Sequence, residues 1–439
     1  MSNQFLNATE YAKAMLAVAK NELVYGRLVD GEFKNQVTDE NGLTISVKRP
    51  PRFNRNDSST QSAALAAQDI LTGSVNLAVN QYAKVHISVG DLEYVQSFNA
   101  LMQNATMKAA GSTLAHQIDS YLANLTLQFA PWIAGTASGT RSANASDPTK
   151  MIANSSQLSA ARTRLRAFGV PSTDVNGVID DDSGQSIRGA LTAGFIQGVN
   201  KDALMRTKIP VVGDIDWYES QQVPSLTTGS RSQGDGSSSG CQVNGASQNV
   251  NYRDVKTTNT QTLLVKGLST NTIAQGEVFT IQNVYAWDWR NNQILPDLQQ
   301  FTVVGATQTG DGSGFASLTI SPPIIVQGSS DGVSTDGNTA FGTVGTVPAD
   351  SAYIKFVGAA STTVKVSSAW HKQAIKLVTA RLRMPDTGKA AFVMDPETGI
   401  GIRYWRGSDI TTGAHIHRWD CIFGASNTDA LFGTRVCGT

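Results

Sequence analysis

The stretch Gly413–Gly424, GAHIHRWDCIFG, places His415, His417, Asp420 and Cys421 within seven residues. Imidazole, carboxylate and thiolate all ligate metals, and all take part in acid–base catalysis. Read as a strand, it puts His415, His417, Trp419, Cys421 and Phe423 on one face. Ile416, Arg418, Asp420 and Ile422 fall on the other. A His-x-His-x-x-x-Cys face suits a metal-dependent hydrolase, with the metal activating water. Such a centre needs three or four converging ligands, and the other histidines, His86, His116 and His371, are scattered. A half-buried sheet strand accounts for the same alternation. It is the preferred reading, with the hydrolase using His415, His417 and Cys421 as the alternative.

The segment GSSDG, Gly328–Gly332, matches the G-x-S-x-G nucleophile elbow. An elbow requires a helix after the serine, and VSTDGNTAFG cannot supply one, so the segment reads as a turn. The Asp-Gly pairs at Asp235, Asp311, Asp331 and Asp336 lack the spacing of a calcium loop and also read as turns. No phosphate-binding glycine loop is present, and no metal or other cofactor is expected. The remaining concentration of reactive groups is cationic. Lys48, Arg49, Arg52 and Arg55 surround a Pro-Pro in VKRPPRFNR. The expected role is contact with an acidic partner surface. A solvated hairpin is the plainer alternative.

The elements that carry these residues follow from pattern. The 439 residues exceed one ordinary core and imply two or three substructures. Charged residues make up only 16%, and 35 Lys+Arg balance 35 Asp+Glu. A chain built to grip nucleic acid would carry a basic excess. Zero net charge also removes a barrier to self-association. Three cysteines without a C-x-x-C fit a reducing compartment. The N-terminus does not read as a signal peptide, and no apolar run approaches the ~20 residues of a membrane span. A soluble, intracellularly made protein is expected.

Residues 7–25 read as an amphipathic helix capped by Asn7, with Glu10 completing a capping box and Tyr11, Met15 and Val18 on one face. Leu43, Ile45 and Val47 alternate as a strand, and Val75–Val89 alternate as its long partner. Residues 91–129 read as one long helix capped by Asp91 and stopped by Pro131. At ~1.5 Å per residue it would span roughly 55–60 Å, which suits a spine. A second helix, SQLSAARTRLRAF, closes at Gly169 and Pro171. From about Ser225 to Ala360, Gly, Ser, Thr, Asn and Gln surround short apolar runs, the pattern of an all-β sandwich or barrel. Helical periodicity is expected to return at SAWHKQAIKLVTARL.

The segments AWHKQAIKLVTARLRMP (369–385) and GIGIRYWRGSDITTGAHIHRWDCIFGASN (399–427), the element VKRPPRF, and the runs AQGEVFTIQNV and QFTVV resemble the major capsid proteins of tailed bacteriophages. The resemblance is to the branch typified by the coat protein of Salmonella phage P-twenty-two. Arg418 and Gly424 match that pattern, whereas His415, His417 and Cys421 do not belong to it. The resemblance implies an α+β, HK97-like capsid fold with an inserted β-barrel. It would comprise an N-terminal arm (1–40), an extended β-hairpin loop (41–89) and a peripheral domain with the spine helix (90–150). An axial domain (151–224), the inserted barrel (225–360) and a return through the axial and peripheral domains (361–439) would follow. It further implies a non-enzymatic shell protein, assembled in the bacterial host cytoplasm, that forms hexamers and pentamers of an icosahedral head. Scaffolding and portal proteins would be partners, and double-stranded DNA would be contained rather than bound. Lys48, Arg49, Arg52 and Arg55 would be contacts between subunits. The acidic inter-capsomer loop of the relative has no counterpart in the Gly/Ser-rich stretch 227–245.

Overall fold

The computed structural model describes residues 8–32, 43–53, 70–89, 105–129, 132–133, 152, 155–193, 211–231, 240–327, 340–386, 388–409, 411 and 413–437. Asn7, Arg55, Asp91, Pro131, Asp235, Asp331, Asp336 and the GSSDG segment lie outside them. The described chain forms two compact units. One holds Met1–Val47, Asn76–Leu125 and Ile375–Thr428, and the other holds Lys48–Val75, Thr126–Ala374 and Asp429–Thr439.

In the first unit the strand His415–Asn427 is central. Gln81–Val89 runs antiparallel along one edge of it. Along the other edge, Gly401–Ser408 pairs with its first half and Ile375–Ala380 with its second. Lys389–Met394 completes the sheet beside Gly401–Ser408. The helices Ala8–Glu22 and Ala105–Leu125 cover one face of this sheet. The first helix buries Ala12, Met15 and Ala19, one turn apart, whereas of the expected face Tyr11, Met15 and Val18 only Met15 is fully buried and Tyr11 and Val18 are half-buried beside it. The second buries Leu114, Ile118 and Leu122. The two approach closely because Gly111 has no side chain where a Cβ would meet Val18 Cγ1 at 2.6 Å. The described part of the expected spine helix begins at Ala105 and ends at Leu125, giving way to a 3-10 turn at Thr126–Gln128.

Two sequence expectations differ from the structure. Val75–Val89 is two strands, Ser74–Ala78 and Gln81–Val89. The first pairs with Thr44–Lys48, and the second joins the sheet of His415–Asn427. Alternation continues through the break, so periodicity alone does not reveal it. The segment SAWHKQAIKLVTARL is not an α-helix. It forms the strands Ser367–His371 and Ile375–Ala380 around a 3-10 turn. Every residue of both strands is buried. A strand covered on both faces has no solvent side to alternate with and loses its period-2 signature, and here Ser367, Ser368, His371, Lys376 and Thr379 are buried along with the apolar residues.

In the second unit a five-stranded sheet runs in the order Trp132–Ile133, Gly433–Val436, Ser367–His371, Val175–Ile179, Asp216–Glu219. It shares a core with the helix Ser155–Ala167, centred on Leu158, Leu165, Ile179, Ile187 and Trp217. That helix ends at Gly169 with φ of +78°, the left-handed closure expected there. The acidic turn Asp180–Asp182 is a helix start, in which Asp180 Oδ2 accepts from Ser183 N at 3.3 Å.

A six-stranded sheet follows in the order Ile354–Phe356, Val278–Asp288, Gln293–Val303, Ala316–Ser321, Gln261–Lys266, Gln242–Val243. Its ends meet, since Ile354 N donates to Cys241 O at 3.0 Å and Val243 N to Ala352 O at 2.9 Å. The sheet therefore curls into a barrel filled by Phe279, Phe301, Leu318, Ile320 and Phe356. Closure removes the exposed edges that an isolated sheet would carry. The antiparallel pair Ser225–Thr227 and Thr363–Lys365 carries the chain in and out. Beside it, Arg231 and Glu277 form a buried ion pair at 3.0 Å. Glu277 also accepts from Gly229 N and Ala274 N, so its carboxylate is well satisfied.

Candidate functional site at the root of the basic arm

The arm leaves the strand Thr44–Lys48, on which Val47 is buried and Lys48 exposed. Arg49 N donates to Gly73 O at 2.8 Å, holding the outgoing and returning chains together. Pro50 and Pro51 have no amide hydrogen, so the ladder stops there. Ser74 N donates to Lys256 O at 3.1 Å, beside the one-turn helix Tyr252–Val255. Gly73 permits this approach, because a Cβ there would meet Lys256 O and Tyr252 Oη, each at 2.6 Å.

The predicted arginines fall into distinct environments. Arg49 is buried, and desolvation lowers its pKa, opposed by the charge of Asp429 and reinforced by Arg52. Arg52 Nη2 donates to Asp429 Oδ2 at 3.0 Å. The Arg52 guanidinium also lies 5.4 Å from the Trp289 ring centroid and 5.5 Å from that of Phe341, within cation–π range. Phe341 in turn stacks on Tyr252 at 3.8 Å. Asp429 Oδ1 accepts from Leu431 N at 3.0 Å, capping the 3-10 turn Ala430–Phe432. Arg49, Pro50, Arg52, Tyr252, Asp429 and Phe432 line a cleft at this point. Lys48 remains exposed on the arm itself. The aromatic and acidic partners, Tyr252, Trp289, Phe341 and Asp429, lie far away in sequence. Only the Asp-x-Leu of the 3-10 cap carries a local signal.

The strand His415–Asn427 shows the predicted alternation except at Asp420, which is buried although it lies on the second face. His417, Trp419, Cys421 and Phe423 are buried toward the helices, while Ile416 is exposed. His417 Nδ1 bonds Tyr404 Oη at 2.6 Å, and Tyr404 stacks on Tyr11 of the first helix. Burial, aided by Arg406 and His415, lowers the His417 pKa to about 4. Burial pushes the Cys421 thiol up to about 12, so it is not a ready thiolate ligand. No group of three His, Cys, Asp or Glu side chains converges on a metal position among the described residues. His415 and His417 are positioned as strand residues, and the hydrolase reading gains no support from the geometry.

A family model described as "P22 coat protein - gene protein 5" matches residues 4–438. No curated protein sequence matches the chain. Among solved structures, the chain is similar to that of Mycobacterium phage Che8, at 11% identity and a TM-score of 0.44. That match covers 94% of this chain and 90% of the other. The capsid of Ralstonia phage GP4 matches at 8% identity and a TM-score of 0.45, covering 100% and 93%. The CUS-3 coat protein I-domain matches at 22% identity and a TM-score of 0.21, covering 28% of this chain and 98% of that one.

Proposed function

The chain belongs to the P22 coat protein family, and from that premise we propose how it builds a phage head. It is a structural capsid protein whose copies self-assemble into the shell of the virion. The observation that carries this is the family match over residues 4–438. The finer reading is an icosahedral head of hexamers and pentamers in the HK97-like manner, enclosing double-stranded DNA. Assembly takes place in the bacterial host cytoplasm with scaffolding and portal proteins. The unit that sets His415–Asn427 against two helices serves as the peripheral domain. The mixed sheet around Ser367–His371 serves as the axial domain, and the barrel between Ser225 and Ala360 as the inserted domain.

The arm is the inter-subunit element of this reading. Lys48 and Arg55 meet acidic groups of an adjacent copy, while Arg49 and Arg52 belong to the same basic cluster at its root. Many modest contacts suit a shell, because each can break and reform while assembly proceeds. The near-neutral chain of 35 Lys+Arg and 35 Asp+Glu tolerates close packing of identical copies. The test is co-expression with a scaffolding protein, followed by electron microscopy. Closed shells of uniform size are expected. Persistent monomers under all conditions overturn the proposal.

A further inference from the structure

We infer that Asp429 and Arg52 form a clasp that fixes the direction of the arm by locking its root to the barrel side of the chain. The inference rests on the capsid reading only for its consequence in the shell. The clasp itself is a property of the single chain. Residues Lys48–Val75 group with the unit that contains the barrel, although the strands preceding and following them run into the other unit. Three attachments hold the root. The Arg49 amide bonds Gly73 O, the Ser74 amide bonds Lys256 O, and Arg52 bonds Asp429. Arg52 is further confined against Trp289 and Phe341.

The electrostatics are asymmetric. One carboxylate, Asp429, serves two guanidinium groups, Arg49 and Arg52, which repel each other. Arg49 is buried, so its charge is poorly screened there. Removing Arg52 loses an attraction but also relieves a repulsion. Removing the charge of Asp429 loses the attraction and leaves the two cations facing each other. A bystander carboxylate would not show this pattern. Asp429 and Arg52 are thus positioning residues for the arm.

The test is hydrogen exchange on the unassembled chain, read at the Arg49 and Ser74 amides, with the strands Ile375–Ala380 and Gly401–Ser408 as fold controls. Arg52→Met is expected to speed exchange at the root about tenfold, the scale of a partly buried ion pair with cation–π support. Asp429→Asn, which still caps Leu431, is expected to speed it more. The double variant Arg52→Met/Asp429→Asn is expected to exchange more slowly than Asp429→Asn alone. Wild-type exchange in both single variants, or simple additivity in the double, overturns the clasp. If Arg52→Met loosens the control strands as well, Asp429→Asn decides. It keeps the shape and the cap but loses the charge, so it must speed the root alone, and wild-type exchange in it overturns the clasp. Shells of the clasp variants are expected to lose uniform diameter. Uniform shells despite a loosened root overturn the control of arm direction. Absence of shells from the wild-type chain instead overturns the capsid reading and leaves the exchange result standing.

Discussion

The carboxylate of Asp420 accepts from both Nε and Nη2 of Arg403, at 2.9 and 2.6 Å, on the sheet face that alternation assigns to solvent. Arg418 Nε lies 3.0 Å from the same carboxylate, and Tyr82 donates to it from the neighbouring strand. The register places Asp420 opposite Arg403 on one side and Lys84 on the other. Asp420 is completely buried on this face beneath the side chains that it organises. It joins three strands of the sheet through one charged hub.

Asp420→Ala leaves Arg403, itself largely buried, without its bidentate partner. The expected cost is about 3 kcal/mol of unfolding free energy, the scale for breaking a buried pair from one side. Urea denaturation of the unassembled chain measures it. Replacing Asp420 and Arg403 together by residues of matching shape is expected to cost less than Asp420→Ala alone.

Gly424→Ala is expected to destabilise the same sheet by about 2 kcal/mol. A Cβ at Gly424 would strike the carbonyl oxygen of Ala78, with the Ala78 carbonyl carbon and Val79 Cα each at 2.8 Å. These are backbone atoms, so no side-chain rotation relieves the clash. Thermal unfolding of the variant checks the expectation.

Two buried groups oppose each other in their response to pH. The His417 pKa lies near 4 in the folded chain, below its ordinary value of 6.5. Between those values the unfolded chain binds the proton and the folded chain does not, so this group makes stability fall as pH falls from 6.5 to 4. Asp119 is also buried. It accepts from Val24 N at 2.7 Å and Gly26 N at 2.9 Å. Desolvation outweighs these hydrogen bonds and raises its pKa from 3.8 to about 6. Here the folded chain binds the proton more tightly, so this group makes stability fall as pH rises from 3.8 to 6. The slopes, each up to about 1.4 kcal/mol per pH unit, cancel over much of that window. Relative to wild type, His417→Gln is expected to gain stability as pH is lowered toward 4. Asp119→Asn is expected to gain as pH is raised toward 6. Chemical denaturation at several pH values reads both differences, and matching signs would contradict the assignment.

The zinc alternative has a direct check. Elemental analysis of purified protein is expected to find zinc well below one equivalent, unchanged by His415→Ala/His417→Ala. One equivalent lost in that variant would restore the hydrolase reading.

Local order in the sequence was enough for several features. The first helix with Met15 on its packed side, the closure at Gly169, and the alternation of His417, Trp419 and Cys421 all follow from periods of 3.6 or 2 and from glycine's access to positive φ, although Ala12 and Ala19 rather than Tyr11 and Val18 complete the buried stripe. The turn at Asp311 follows too, its Oδ1 accepting from Ser313 N at 2.9 Å and Phe315 N at 2.8 Å. The resemblance carried by VKRPPRF and the closing segment agrees with the family match. Tertiary structure alone decided the rest. Ser367–His371 and Ile375–Ala380 are strands because neighbours cover both of their faces, a condition that no local window contains. Asp420 is buried on a polar face because three strands bring arginines and a tyrosine to it. Arg52 meets Asp429 across 377 residues of chain, and Trp289 and Phe341 reach it from the barrel side. Charge and spacing mark the arginines of the arm as notable, but a partner so remote in sequence becomes visible only when folding brings it within hydrogen-bond distance.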